Sequence, residues 1–562
     1  MKRGKKILTS FFSVLLILSI GMTGVASAIS EKDHWVGSWS AGMTDISITL
    51  LEGHENWDGI KIAPFAKNMS ARVRLTPTLG GNKVRFCLSN ENGRSPLVVN
   101  EVAIARAKGD SGAEIVEGTS IPVTFDGNRQ VTIPAGEIIY CDPIDMEVTA
   151  LEDLCVSYYI ENFAEVQTMA LCGGTAYLTL GNQVENTKFY GIGLSFGTLV
   201  SIVPLLSGLD VYTDADAYSI VVIGDSTTSN DIPKLLAKRI IEETGENKVG
   251  VLQKSIVGNC LLSDGTGLTG SIYGKAMINR FQKDALEQAG VKYALVKIGL
   301  NDILHPRCIS MAGKVPEPTV DELIAGYEQL TNMAHAADVK IIMAETSPWK
   351  GYTRDLFNTG DIDLVWSEEA QDMCDQLTEW IRTTDLTDGS INLDCLKDPE
   401  DPYKMPDGWT SDGAHLLAPA QEAFVNAINL SLFGVGSSEE DSTGSTESES
   451  TPSEPTTEEL PDTTESESTP PETETAPEAT TGTEGGESDE PSTEAPATSE
   501  EPSTAGGDPT ESTATTAGNN NGSDTTKPAG TANVDTGDSL MAAGIALAAI
   551  SAIGILITVK KK

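Results

Sequence analysis

The sequence predicts an α/β domain, a parallel sheet between helices, preceded by an all-β sandwich. Three observations lead there: a short alternating apolar pattern up to about residue 212, a change of period at Tyr218, and a regular exchange of apolar strands and amphipathic helices beyond it. Five regions follow: 1–28 and 539–562 at the ends, a β region over 29–212, an α/β region over 213–436, and a linker over 437–538.

In the β region, Ser70 to Leu75, Lys83 to Leu88, Gln130 to Ile133 and Leu154 to Ile160 alternate apolar and polar residues. Gly80-Gly81-Asn82 and Asp126-Gly127-Asn128 break the runs at strand-length spacing. That is the pattern of antiparallel strands with one face on a core.

From Tyr218 the runs become continuously apolar, as a strand buried on both faces requires. Ile220 to Ile223 is the first such strand. Asp231 and Pro233 then open a helix through Leu235, Leu236 and Ile240. Val249 to Ile256 reads as a strand, Ala276 to Ala289 as a helix, and Val291 to Ile298 as a strand. Thr319 with Glu322 makes a capping box for a helix to about Ala337. A strand over Val339 to Ala344, a helix over Glu369 to Thr384, a short strand over Ile391 to Leu393 and a last helix over Pro419 to Leu432 complete the pattern.

The ends carry targeting signals. Lys2, Arg3, Lys5 and Lys6, the apolar run Phe11 to Ile20 and Ala26-Ser27-Ala28 make a secretory signal peptide over 1–28. Leu540 to Val559 is an apolar stretch about one bilayer long, closed by three lysines. Residues 437–538 hold 26 acidic residues against the single Lys527 and no Phe, Trp or Tyr, so they read as an extended spacer. An extracellular protein tethered at the cell surface is expected.

The whole chain has a formal net charge of −44. Nucleic-acid binding is excluded, because it rests on Lys and Arg neutralising phosphates. The five histidines form no ligand cluster, and no metal or cofactor is expected. Export permits disulfides, but the eight scattered cysteines fix no pairing.

In parallel sheets the reactive loops lie beyond the strand C-termini. There the sequence places Gly224-Asp225-Ser226, Gly258-Asn259 and Gly299-Leu300-Asn301-Asp302, with Asp412-Gly413-Ala414-His415 before the last helix. Each alone reads as a turn or cap. Together they supply acyl transfer: a serine hydroxyl, an imidazole to take its proton, a carboxylate to orient the imidazole, and amide donors for the oxyanion.

These four blocks, in this order, resemble the GDSL, or SGNH, family of serine esterases and acylhydrolases. The resemblance spans about 218–434 and implies a flavodoxin-like three-layer fold. It assigns Ser226 as nucleophile, with Asp412 and His415 completing the triad, and Ser226, Gly258 and Asn301 as oxyanion donors. Trp35-Val36-Gly37-Ser38-Trp39 and Arg280-Phe281 before Asp284 resemble members preceded by a β domain. Thr227 departs from the family's usual Ile and bears on local packing. Similarly, Asn533-Val534-Asp535-Thr536-Gly537-Asp538 with its apolar helix and basic tail resembles a Gram-positive sorting signal. Sortase processing near Thr536 and a cell-wall tether, or a membrane anchor in its place, are what that implies; Val534 replaces the usual Pro.

Competing motifs are weaker. Gly193-Leu194-Ser195-Phe196-Gly197 lies in strand-rich sequence, and Ser347-Pro348-Trp349-Lys350 carries a proline where a helix is needed. Among the other histidines only His305 rivals His415. A tethered extracellular esterase implies acylated polysaccharide, chiefly O-acetyl esters, as substrate, with Trp349, Tyr352, Trp366 and Trp409 as candidate sugar platforms. A lipase or lysophospholipase, and an adhesin with a vestigial hydrolase domain, are the alternatives.

Overall fold

The computed structural model describes residues 33–50, 60–196, 200–229, 231–265, 270–308, 315–352 and 366–436. The expected signal peptide, linker, sorting motif and anchor lie outside the described residues, as does His54. Among the described residues no helix is long and apolar enough to cross a membrane.

The β region is built of antiparallel sheets. One has four strands in the order Asp33–Ser40, Leu206–Asp214, Lys83–Ser89, Ile138–Tyr140. A second has seven and centres on Leu154–Ile160, Met69–Leu75 and Thr175–Leu180, and smaller two- and three-stranded sheets join them. Alternate residues of both sheets, among them Val84, Phe86 and Val211 from the first and Val73, Val156 and Ala176 from the second, share one buried core. The period-2 pattern thus sorts side chains as a half-buried strand must.

The α/β region holds a five-stranded parallel sheet. Its strands are β1 (Tyr218–Gly224), β2 (Val249–Gln253), β3 (Val291–Lys297), β4 (Lys340–Ala344) and β5 (Gly389–Ile391), in the order β2-β1-β3-β4-β5. This is a doubly wound order. Both faces of β1 are buried: Val221 and Ile223 pack with one set of helices, Ile220 and Val222 with the other.

Helices α1 (Ile232–Thr244), α2 (Met277–Phe281), α3 (Leu300–Leu304), α4 (Val320–Ala336), α5 (Glu368–Thr383) and α6 (Ala418–Ala427) flank the sheet. Helices α2, α4 and α5 cover one face, α1 and α6 the other. The Thr319–Glu322 capping box forms as expected. Asp231 stands at the N-cap of α1, although its side chain makes no capping bond.

Four elements differ from the sequence reading, the first being the strand expected over Val249 to Ile256, which ends at Gln253. The helix expected over Ala276 to Ala289 is α only to Phe281 and continues as a π turn over Gln282–Leu286. The last helix stops at Ala427, and a 3-10 turn follows over Leu430–Phe433. The short strand expected at Ile391 to Leu393 lies two residues earlier. Cys87, Cys141, Cys155, Cys172, Cys260, Cys374 and Cys395 are free thiols, all of them buried but Cys395.

The two regions pack directly on one another. β2 is an edge strand, whose unpaired backbone groups need partners. The β region supplies them. The Val251 N–H donates to Thr78 Oγ1 at 2.8 Å, and Ser40 Oγ donates to the Gln253 carbonyl at 2.9 Å. Gly250 lets the chains approach: a Cβ there would lie 2.0 Å from the Gly37 carbonyl oxygen. Gly250→Ala is therefore expected to destabilise the protein by about 1–3 kcal/mol, read as a lowered thermal midpoint, since overpacking a closed core costs about that much. An unchanged midpoint would show that this contact does not hold the regions together.

Candidate active site

Four loops beyond the strand ends build the site. β1 ends at Gly224, and Asp225 caps a single 3-10 turn, Ser226–Thr228. Its Oδ1 accepts from the Thr227 N–H at 2.8 Å and from Thr227 Oγ1 at 2.7 Å. A short side-chain oxygen suits this task, because the first N–H groups of a turn have no partner within it. The turn fixes the direction of Ser226.

The opposing loop is organised the same way. Asp412 Oδ1 accepts the backbone N–H groups of Ala414 at 3.0 Å and His415 at 2.9 Å, which leaves Oδ2 to take His415 Nδ1 at 2.5 Å. A carboxylate only accepts, so Nδ1 carries the proton and Nε2 is the accepting nitrogen of the neutral ring. Nε2 lies 2.8 Å from Ser226 Oγ, across 189 positions of sequence. The expected residues of the triad therefore meet in one hydrogen-bonded chain.

The electrostatics follow from the contacts. Burial raises the Asp412 pKa, but hydrogen bonds from His415 and the imidazole charge outweigh it and bring the carboxyl down to about 2. Burial alone would lower the His415 pKa. The hydrogen bond and charge of Asp412, with the charge of Asp225, outweigh that, and the imidazole titrates above its ordinary value.

Asn301 stands in the first turn of α3, a five-residue helix too short for sequence periodicity to reveal. Its Nδ2 donates to the Asn259 carbonyl at 3.1 Å and to Asp225 Oδ2 at 3.3 Å. Gly258 has φ +69°, and a Cβ there would sit 2.2 Å from the Tyr273 ring, so only glycine fits.

Buried charges brace these loops. Arg280 donates from Nε to Asn259 Oδ1 at 3.0 Å, from Nη2 to the Gly224 carbonyl at 3.1 Å, and from Nη1 to Asp284 at 3.0 Å. It thereby ties the end of β1 to the loop beyond β2. The π turn carries Asp284 to this contact. Asp302 accepts the N–H groups of Leu261 at 2.7 Å and Leu262 at 3.0 Å, and burial pushes its carboxyl up to about 7.

Lys297, at the end of β3, donates from Nζ to Thr227 Oγ1 at 2.6 Å. In sequence it lies inside the strand expected over Val291 to Ile298. Its signal was the Lys itself, the last residue of a strand whose four preceding residues, Tyr293 to Val296, are all buried and none of them charged.

The competing residues stand elsewhere. Ser195 is exposed in the strand Ile192–Phe196, and the next described element is another strand, Val200–Ser201, not a helix that could aim a nucleophile. Ser347 is buried in a loop. His305 is buried with Nδ1 3.3 Å from Cys260 Sγ and its ring against Tyr273. His335 contacts Asp388 at the end of α4, and His34 belongs to the β region. Of the four aromatic residues suggested as a sugar platform, Trp349 is fully buried and is core. Tyr352 sets its ring edge-on to His415, 6.1 Å between centroids. Among the described residues no group of three or more His, Cys, Asp or Glu is placed to hold a metal ion.

Residues 220–428 match the family described as GDSL-like Lipase/Acylhydrolase. No curated protein matches the chain. Among solved structures, a GDSL-like lipase from Bacteroides thetaiotaomicron is similar over 38% of this chain and 88% of its own, at 13% identity and a TM-score of 0.26. The carbohydrate acetylesterase Est24 from Sinorhizobium meliloti is similar over 37% of this chain and 95% of its own, at 11% identity and a TM-score of 0.28. An acetyl xylan esterase from Geobacillus stearothermophilus covers 39% and 95%, at 15% identity and a TM-score of 0.28. The chain carries a GDSL-like lipase/acylhydrolase domain, and through that domain it is a carboxylic ester hydrolase.

Proposed function

We propose that Ser226, His415 and Asp412 hydrolyse acyl esters through an acyl-enzyme, and that the substrate is an O-acetylated carbohydrate met outside the cell. The observation that carries the chemistry is the continuous chain from Ser226 Oγ to His415 Nε2 at 2.8 Å and from His415 Nδ1 to Asp412 Oδ2 at 2.5 Å.

His415 Nε2 takes the Ser226 proton as Oγ bonds to the ester carbonyl carbon. The carbonyl oxygen becomes an oxyanion, met by the N–H groups of Ser226 and Gly258 and by Asn301 Nδ2. One such donor is worth about 10²–10³ in rate. The intermediate collapses, the alcohol leaves with the proton from His415, and Ser226 holds the acyl group. Water then repeats the cycle: His415 takes its proton, the hydroxide oxygen bonds to the acyl carbon, and the acid leaves as Ser226 Oγ regains the proton. Asp412 stays ionised throughout and stabilises the imidazolium.

Support for the substrate comes from the sequence. A signal-like N-terminus, a spacer of about a hundred acidic and small residues and an apolar basic-ended C-terminus would hold the enzyme at a cell surface, where esterified polymers are met. The net charge of −44 disfavours anionic substrates and suits a neutral acetyl ester.

Hydrolysis of p-nitrophenyl esters from acetate to palmitate by the full chain is expected to peak at acetate, and Ser226→Ala to abolish it. Acetate release from acetylated xylan completes the test. A maximum at long chains would overturn the carbohydrate reading, and parental activity in Ser226→Ala would overturn the site.

The pH dependence has a definite sign. His415 must be neutral to accept the proton, so kcat/KM falls on the acid side, with a midpoint above the ordinary histidine value. Asp412→Asn is expected to move that midpoint to lower pH and to cut kcat by about 10³–10⁴, as loss of the orienting carboxylate does in serine hydrolases. An unmoved acid limb at full rate would show that Asp412 does not act on His415.

A further inference from the structure

Beneath the nucleophile lies a buried chain of polar groups that the reaction above does not use. Lys297 at the end of β3 and Asp225 at the end of β1 are both almost fully buried, 3% and 1% exposed. Thr227 stands between them. Its single hydroxyl proton goes to Asp225 Oδ1 at 2.7 Å, because the carboxylate can only accept, and its lone pair receives Lys297 Nζ at 2.6 Å. The polarity of the chain is therefore fixed, ammonium to hydroxyl to carboxylate. An apolar residue at 227 would leave the ammonium without this acceptor.

Asp225 reaches the reacting groups on its other side. Asn301 Nδ2 has two protons, and both are engaged at rest, one by Asp225 Oδ2 at 3.3 Å and one by the Asn259 carbonyl at 3.1 Å. An oxyanion must draw on the same amide, and the longer bond, to Asp225, is the one to yield. A buried carboxylate so close to a developing negative charge opposes it unless a cation offsets it.

We propose that Lys297 is a positioning residue whose ammonium, acting through the Thr227 hydroxyl, offsets and orients the Asp225 carboxylate, so that Asn301 can turn toward the oxyanion and His415 can release its proton. This rests on Ser226 being the nucleophile. Thr227 and Lys297 form one unit, because the ammonium is linked to Asp225 by hydrogen bonds only through the Thr227 hydroxyl.

The charged and titratable groups around His415 set the direction of the test. They are Asp412 on its own loop, Asp225 from β1 and Lys297 from β3, with the Tyr352 ring edge-on. Asp225 in turn faces Arg280 from α2 and Asp302 from α3. Asp225 favours the imidazolium and Lys297 opposes it, so losing the ammonium must raise the pH at which His415 deprotonates.

The experiment is the pH profile of kcat and kcat/KM on p-nitrophenyl acetate for Lys297→Met, Thr227→Val, Thr227→Ser and the Lys297→Met/Thr227→Val double variant. Near-ultraviolet circular dichroism serves as the folding control, and Ser226→Ala runs in parallel. Lys297→Met is expected to move the acid limb to higher pH and to lower kcat about tenfold with KM little changed, a loss confined to the transition state. Thr227→Val, which keeps the ammonium but removes its link to Asp225, is expected to lower kcat in the same way, Thr227→Ser to stay parental, and the double variant to match the worse single rather than the product. If Lys297→Met does not fold, the contrast between Thr227→Val and Thr227→Ser decides alone. A parental kcat in Thr227→Val, equal loss in Valine and Serine variants, or a multiplicative double variant would overturn the proposal. Should these hold parental activity while Ser226→Ala is inactive, only the role of Lys297 fails; activity in Ser226→Ala would instead remove the site.

Discussion

The molecule depends on the hydrogen bond between Ser226 Oγ and His415 Nε2, which joins loops separated by 189 residues. Neither loop alone can hold its side chain there. The Ser226 turn is placed by β1, the central-type strand whose two faces are both buried, and the His415 loop by its position before α6, which packs on one of those faces. Asp225 and Asp412 do similar local jobs at the two loops: with one oxygen Asp225 accepts the Thr227 N–H and hydroxyl and Asp412 two backbone N–H groups, and each presents its other oxygen to a site side chain, Asn301 or His415. Order in the site thus comes from carboxylates satisfying turns, and chemistry comes from the oxygens left over.

Much of this was legible in the sequence because it is written in periods and caps. Continuous apolar runs such as Ile220 to Ile223 bury both faces, which only a covered parallel sheet provides. Thr319 and Glu322 begin their helix where they should. The strand-end blocks holding Ser226, Asn301 and Asp412-His415 could be picked out because reactive loops follow strand C-termini. Elsewhere the local signal fails. Helix α3 has five residues, less than two turns, so no face repeats. The helix after Ala276 continues as a π turn over Gln282–Leu286, where Asp284 pairs with Arg280 four residues earlier, and no local period marks the change. Lys297 looks like a strand end and becomes meaningful only when Thr227, 70 residues earlier, lies beside it.

Burial also decided among the alternatives. Ser347 and Trp349 belong to a motif of plausible spacing, yet both are enclosed in the interior. Eight scattered cysteines fix no pairing in sequence, and in the fold Cys141, Cys172 and Cys374 are small buried fillers pushed by burial up to about 12, far from the thiolate that would exchange. The β region is no appendage in this account. Thr78 and Ser40 finish the hydrogen bonding of edge strand β2, and Gln253 at its end donates to the carbonyl of Ser229, so the sheet margin beside the nucleophile turn is completed from outside the α/β region.

The most direct measurement is to treat the full chain with a fluorophosphonate, which reacts only with an activated serine, and to locate the adduct by peptide mass mapping. One adduct is expected, on Ser226, with a rate of formation that falls as His415 gains its proton. An adduct on Ser195 or Ser347, or none on Ser226 in folded protein at neutral pH, would contradict it.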